Sequence, residues 1–290
     1  MTTAFLVALV LSAAPGVELR ASIDGQKPAP GWAYARRGQA VTLHAVVKGG
    51  PAKEVRWFKV EPTVGAIDNT TPSFHFEPVT YRETPVPACD DRLECPGDVT
   101  PSVLPAVAAL EGVGTMAFKV RVTLADGRTV ETPGLESTRW GGLTKDVFRV
   151  VVRRDESLIG YASELLNTPY IFGSAGPDGR NQSDLLIGSD CADLVIYGRR
   201  RSGKKAEYTS SYGIDQQAKP LAAGARIRAG DVIHFPNTRH VALLYEDRAP
   251  LGVLNAEDLI LHTCWAPPTV QPLGETGCAS EPMRVLRFPD

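Results

Sequence analysis

The sequence lacks features that define several large classes of protein. It has no excess of positive charge, since 31 Lys and Arg side chains stand against 33 Asp and Glu side chains in 290 residues. Proteins that bind nucleic acid need a dense cationic surface. No apolar run reaches the roughly 18 residues of a membrane-spanning helix, and no internal repeat or low-complexity tract is present. We therefore expect neither nucleic-acid binding nor a membrane span.

The overall composition is that of a globular protein. Hydrophobic residues make up 43% of the chain and charged residues 22%, which excludes wholesale disorder. At about 150 residues per domain, the length favours two domains. The 27 Gly and 23 Pro residues predict many turns and short strands. Oligomeric state is not indicated by the sequence.

The longest apolar run, residues 4–14, lies at the N-terminus. It has the length of a signal-peptide core, with the small residues Ser12 and Ala14 near a cleavage point. No Lys or Arg precedes it and Pro15 follows it, so a buried first strand or short helix is the alternative. No Cys follows the run, which argues against a lipoprotein anchor. We predict a signal peptide over residues 1–16 and export to the periplasm or the extracellular space.

The five cysteines bear on the same question. Cys89 and Cys95 lie in a Pro-rich loop, and Cys264 and Cys278 flank a segment rich in Pro and Gly. Exported proteins keep disulfides, whereas cytosolic proteins usually do not. Local pairing within these two sets is our hypothesis, and it leaves Cys191 as an odd thiol.

Residues 17–153 have the pattern of an all-β domain. β-Branched and aromatic residues alternate or cluster in several short segments, which are residues 40–48, 54–61, 74–81, a hairpin over 115–132 and 147–152. About seven short strands separated by turns favour an immunoglobulin-like sandwich. No reactive cluster is apparent in this region, so we expect it to act as a spacer or binding module.

The pattern changes to α+β in residues 154–290. Apolar residues at helical spacing predict a helix over 157–167, which Thr168-Pro169 ends, and a second helix over 191–201. Strands are predicted after the helices, over residues 231–235, 241–246, 259–265 and 283–288. Helices followed by an antiparallel sheet indicate an α+β domain.

The second helix begins with Cys191, and Asp190 is suited to cap it. Unpaired backbone N–H groups and the helix dipole favour a thiolate at this position, although a buried and inert cysteine is an equally open reading by spacing alone. His240 opens a returning strand and His262 lies on the neighbouring one. A cysteine and two histidines so placed fit the roles of nucleophile, base and orienting group.

Four motifs, taken in order, resemble those of the NlpC family of papain-like cell-wall cysteine peptidases. They are Thr168-Pro-Tyr-Ile-Phe-Gly173, Asp190-Cys191, Ala229-Gly-Asp231 and His240-Val-Ala-Leu-Leu-Tyr245. The resemblance covers residues 155 to about 265. It implies a papain-like (NlpC-type) C-terminal domain that hydrolyses amide bonds in the peptide part of bacterial peptidoglycan.

The resemblance also implies roles for individual residues. Cys191 would be the nucleophile, His240 the general base and His262 its orienting group, with no metal or organic cofactor. We place three further residues at the substrate pocket and oxyanion hole, namely Tyr170, Asp190 and Asp193. The sequence departs from the family at Ala192-Asp193, where the family has Ser-Gly, and a charge on Asp193 would raise the pKa of the thiol.

Other readings compete with this one. The domain could be an inactive binding or structural module, or it could use the thiolate for acyl or peptidyl transfer. His234 is a credible substitute base, although its position in the family pattern favours a core residue. A phosphate-binding loop at residues 198–205, a calcium loop at 178–184 and a zinc site at His262, Cys264 and Cys278 each lack residues that such sites need.

Overall fold

The computed structural model describes residues 14–70, 75–104, 112–139, 141–174 and 181–289. The core of the predicted signal peptide, residues 4–14, therefore lies almost entirely outside the described residues. The structure is mostly β-sheet with few helices. No helix among the described residues is both long and apolar enough to cross a membrane.

Among the described residues, eleven strands precede the first α-helix. They are β1 (Gly16–Ile23), β2 (Ala29–Pro30), β3 (Ala33–Arg36), β4 (Val41–Lys48), β5 (Ala52–Pro62), β6 (Ala66–Asp68), β7 (Tyr81–Pro85), β8 (Glu94–Pro96), β9 (Gly114–Leu124), β10 (Thr129–Glu131) and β11 (Phe148–Arg153).

Three helices and seven strands follow. They are α1 (Leu158–Ala162), β12 (Tyr170–Phe172), α2 (Cys191–Arg201), α3 (Ser211–Gln217), β13 (Lys219–Pro220), β14 (Val232–Phe235), β15 (His240–Glu246), β16 (Leu259–His262), β17 (Thr269–Pro272) and β18 (Arg284–Arg287). A 3₁₀ turn, Ser163–Leu165, extends α1.

The first eleven strands form two sheets that share one hydrophobic core. One sheet has the order β2-β1-β4-β8 and the other the order β3-β11-β9-β5-β7, with β10 paired to β9. Inward side chains of both sheets meet around the fully buried Trp57. The Nε1 of Trp57 donates to the carbonyl of Arg92 at 2.9 Å, so burying this ring leaves no indole N–H unpaired.

The strand predicted over residues 74–81 is wrong, because strand β7 begins only at Tyr81. The aromatic alternation there is typical of a strand, yet Asn69 holds the segment in a loop. The N–H of His75 donates to the Asn69 carbonyl at 3.0 Å, and the N–H of Glu77 donates to its side-chain oxygen at 3.2 Å. These bonds take backbone groups that a sheet partner would need.

The disulfide hypothesis is confirmed for one pair and wrong for the other. Cys89 and Cys95 are bonded and buried in the core of the two sheets. Cys264 and Cys278 are both free thiols. Cys264 lies in an exposed loop after β16, whereas the sulfur of Cys278 packs beside the core and lies 3.9 Å from Thr238 Oγ1. Cys191 is a free thiol, as expected.

The C-terminal strands form one antiparallel sheet with the order β13-β18-β14-β15-β16-β17. Helix α2 begins and ends where the sequence predicts. Its apolar residues Leu194 and Val195 pack against Val241 and Leu243 of β15. This packing fixes the first turn of α2 against the start of β15, which is where Cys191 and His240 lie.

A short parallel pair joins the two parts of the chain. β6 pairs with β12, with Ile67 opposite Ile171. The two isoleucines share a small apolar cluster with Val79 and Ile187. The loop that leads to Cys191 is therefore held by residues about a hundred positions earlier.

Candidate active site

Asp190 makes Cys191 the first residue of α2. Its carboxylate accepts the N–H groups of Ala192 at 2.9 Å and Asp193 at 3.0 Å. The Asp193 carboxylate in turn accepts the N–H of Asp190 at 3.4 Å, which completes a capping box. A capping box satisfies N–H groups that a helix start otherwise leaves open. The cap fixes the direction in which Cys191 leaves the helix.

The structure places the Asp193 side chain in this cap. Its side chain is fully enclosed, where it accepts hydrogen bonds from Ser174 Oγ and from Asn181 Nδ2 at 3.5 Å. Burial and the adjacent Asp190 carboxylate raise the pKa of Asp193 well above its usual range. Asp193, which stands where the NlpC motif has glycine, thus has a structural use in this chain.

Cys191 lies on the wall of a large cavity. The cavity has a volume of about 870 Å³, and Asp190, Ala192, Phe172 and Thr70 also line it. Cys191 is half-buried and forms part of this wall, so the residue can be approached from the cavity. A cavity of this size accommodates a peptide segment or a drug-sized ligand.

His240 and His262 form a buried pair beside the start of α2. His240 Nε2 lies 3.2 Å from His262 Nδ1, and both residues are at most 9% exposed. The His240 ring stacks on Phe235, its cross-strand partner, with centroids 5.6 Å apart. Two neighbours therefore fix the orientation of the His240 imidazole.

Cys191 meets β15 at the residue after His240. The backbone N–H of Val241 lies close enough to the sulfur to oppose part of the rise in the thiol pKa that burial causes. Among the contacts of the described residues, Cys191 makes no hydrogen bond to His240 or His262. Catalytic hydrogen bonds in free enzymes are often long and tighten when substrate binds. The backbone contact places the sulfur next to the position from which the imidazole projects.

Burial favours the neutral forms of the Cys191 thiol and the His240 imidazole. The pKa of Cys191 is raised well above its usual range, mainly by burial and next by the Asp190 carboxylate. Burial lowers the pKa of His240 to about 3, aided by His262, and that of His262 to about 4. The start of a helix was expected to favour a thiolate at Cys191. At this site the loss of hydration on burial outweighs the backbone amides, so the thiol is favoured instead.

An N–H donor for a developing oxyanion is available beside the sulfur. Asp190 takes the N–H groups of Ala192 and Asp193, whereas the N–H of Cys191 has no acceptor among the described residues. Burial, and next the neighbouring Cys191 and Asp190, raise the pKa of the Tyr170 phenol. Tyr170 is thus a protonated donor near the sulfur, with its ring 5.2 Å from that of Trp265.

Residues of the first half of the chain also support this site, which the sequence did not indicate. Thr70 lines the cavity. Asn69 is fully buried, and its Nδ2 donates to Gln182 Oε1 at 2.8 Å and to the Gly173 carbonyl at 3.4 Å. Gly173 is also at the cavity wall. The sequence shows no reactive cluster in this half of the chain and gave no sign of these contacts.

His234 lines the cavity together with Asp215, Arg239 and Arg284. His234 is 4% exposed, so it has the burial expected of a core residue, yet it borders the same space as Cys191. The other three lie far apart in sequence and in no recognisable motif. Only the folded sheet and helix α3 bring them together.

The remaining predicted positions have structural partners. Asp231 of the Gly-Asp turn is buried and accepts hydrogen bonds from Arg287 Nε at 2.6 Å and from the Arg228 N–H at 2.9 Å.

Asp178, in the loop considered for calcium, lies outside the described residues. Among those described, no group of three or more His, Cys, Asp and Glu side chains is arranged to hold a metal ion.

Comparison with known proteins gives two partial likenesses. No family profile and no curated protein matches the sequence. One similar structure is Rv1477, described as a hypothetical invasion protein of Mycobacterium tuberculosis, with 22% identity and a TM-score of 0.30. Another is a mutated form of RipA, the Resuscitation Promoting Factor Interacting protein, with 23% identity and a TM-score of 0.30. Each match covers 46% of this chain and 61% of the other chain.

Proposed function

We propose that this chain is an exported cysteine peptidase or amidase that hydrolyses amide bonds in the peptide part of bacterial peptidoglycan. Cys191 is the nucleophile, His240 the general base and His262 the group that orients His240. The observation that carries the proposal is the joint placement of these groups. A capped helix presents the thiol to a cavity, and the strand beneath it begins with an imidazole fixed by a second imidazole.

The first step transfers one proton and forms one bond. The sulfur attacks the amide carbonyl carbon while the thiol proton moves to His240, because both groups are neutral at rest. His240 Nε2 is directed at His262, so Nδ1 is the ring nitrogen left to accept this proton. The oxyanion is stabilised by the N–H of Cys191 and the hydroxyl of Tyr170.

The second half of the reaction restores the thiol. His240 returns its proton to the leaving nitrogen, the C–N bond breaks and a thioester remains on Cys191. A water molecule, deprotonated by His240, then attacks the thioester carbon; the C–S bond breaks, a carboxylic acid leaves and His240 returns its proton to the sulfur. With its resting proton on Nε2, His240 donates a hydrogen bond to His262 Nδ1. That bond strengthens when the His240 ring becomes charged.

We further propose a two-domain layout and an exported location. Residues 17–153, whose two sheets share one core, would be an immunoglobulin-like sandwich. Residues 154–290, with α2 packed on an antiparallel sheet, would be a papain-like domain. The disulfide between Cys89 and Cys95 favours export, since such bonds persist in oxidising compartments.

Digestion of purified peptidoglycan by the full chain tests the proposal. We expect new pairs of peptide products whose summed mass exceeds that of the uncut peptide by one water, as seen by mass spectrometry. Products joined to an added amine acceptor would instead identify a transferase. A binding module whose activity has been lost would retain peptidoglycan without releasing any product.

The pH dependence of Cys191 alkylation tests the neutral resting state. Burial raises the thiol pKa and lowers the imidazole pKa values, so no thiolate–imidazolium pair forms at rest. We expect the iodoacetamide rate in a Cys264→Ser/Cys278→Ser variant to rise steadily between about pH 5 and 9, because only the thiolate reacts. A rate that is already high and constant across that range would contradict this account.

A further inference from the structure

A second group of charged side chains lines the cavity that holds Cys191. It consists of Asp215 on α3, His234 on β14, Arg239 in the turn after β14, and Arg284 on β18. The proposed hydrolysis uses none of them. Their position in the same cavity means that a substrate reaching the sulfur also meets this group.

Arg284 is held in place by two partners. Its Nη2 donates to Asp215 Oδ2 at 3.0 Å and lies 3.1 Å from His234 Nδ1. His234 Nδ1 in turn lies 3.2 Å from Asp215 Oδ1. Because the His234 ring is almost fully buried, it anchors this end of the guanidinium. A donor oriented in this way loses little conformational entropy when a ligand binds.

Cationic donors remain for a ligand. Among the described residues, Arg284 Nε and Nη1 make no hydrogen bond and the Arg239 guanidinium makes no ion pair. The two guanidinium groups carry two positive charges and Asp215 carries one negative charge, so one positive charge is left without a partner in this group. The Asp190 carboxylate is occupied by the amides of α2. A planar guanidinium binds a carboxylate through two parallel hydrogen bonds.

We propose that Arg239 and Arg284 bind a carboxylate of the substrate, so that the peptide cleaved at Cys191 is an acidic one. Asp215 and His234 are positioning residues that act through Arg284. The inference rests on the proposed function, because it treats the ligand of this cavity as the hydrolysed peptide.

Paired substrates test the subsite. Soluble peptides from purified peptidoglycan are used with their carboxyl groups either free or converted to carboxamides. We expect Arg239→Gln and Arg284→Gln each to raise KM for the free-carboxylate peptides about tenfold or more, with kcat little changed. The carboxamide peptides should respond little to either substitution. Asp215→Asn should raise KM less, and should have no added effect in the Arg284→Gln background.

The matched control is Arg248→Gln. Arg248 is half-exposed, lies 3.5 Å from Glu246 and is outside the cavity lining. It should leave both kinetic constants unchanged. Equal losses on the free and amidated peptides in the Arg239 and Arg284 variants would overturn the subsite, as would an equal loss in the control.

A binding measurement distinguishes a failure of the carboxylate subsite from a failure of the proposed hydrolysis. Calorimetric titration of the Cys191→Ala protein should show tighter binding of the free-carboxylate peptides, and Arg284→Gln should remove the difference. If the wild type hydrolyses neither peptide and this preference persists, the proposed function fails and the subsite stands. Equal binding of the two forms refutes the subsite whatever the activity.

Discussion

Replacing Cys191 with alanine should lower the rate of peptide release from peptidoglycan by at least about 10⁴-fold. The reaction then loses its covalent route, because the Cys191 sulfur is the atom that forms the thioester in the proposed mechanism. Substrate binding should persist, since the cavity and its charged groups are untouched. The measurement is the initial rate of product formation, followed by mass spectrometry, for wild type and variant at equal concentration.

Two controls separate chemistry from folding in this experiment. Cys191→Ala removes one sulfur atom from a half-buried side chain, so we expect it to reduce the free energy of unfolding by about 1 kcal/mol or less. Cys278→Ala provides a matched loss of a half-buried thiol away from the cavity and should keep full activity. Unchanged hydrolysis by Cys191→Ala would remove the nucleophile from the mechanism.

Replacing His240 should have the second largest effect. His240→Gln should lower kcat by about 10³-fold, because glutamine can still hydrogen-bond to His262 but cannot accept the thiol proton. His262→Leu should cause a smaller loss, since His262 acts through the orientation of the first ring. His262→Asn keeps an acceptor for His240 Nε2 and should recover much of that loss.

His234→Gln distinguishes the two candidate bases. His234 borders the cavity with Cys191 and has a carboxylate neighbour, so it has some features of a catalytic histidine. If His240 is the base, His234→Gln should raise KM for acidic peptides with little change in kcat. A larger fall of kcat in His234→Gln than in His240→Gln would transfer the role of base to His234.

The elements that the sequence predicted well are those with strong local signals. Both ends of helix α2 could be predicted, because a capping aspartate precedes its regularly spaced apolar residues and Ser202-Gly203 ends it. The hairpin of β9 and β10 is predicted by the alternation of residue types on either side of a Gly-containing turn. Such signals depend on neighbours in sequence, so they need no knowledge of the fold.

Features that depend on distant contacts could not be predicted in this way. The three-residue strands β6 and β12 are too short to show a period, and they pair across about a hundred residues. Residues 74–81 have the pattern of a strand, but hydrogen bonds to Asn69 hold the described part in a loop. The acidity of Cys191 depends on how deeply the fold buries the sulfur, which the position at a helix start does not reveal.

The most direct test of the account is to titrate activity against modification of Cys191. A Cys264→Ser/Cys278→Ser protein is treated with increasing amounts of an alkylating reagent, and mass spectrometry gives the fraction of the remaining thiol that is modified. The account predicts that hydrolysis falls in a straight line with that fraction and reaches zero at one equivalent. Full activity in protein whose Cys191 is completely alkylated would contradict it.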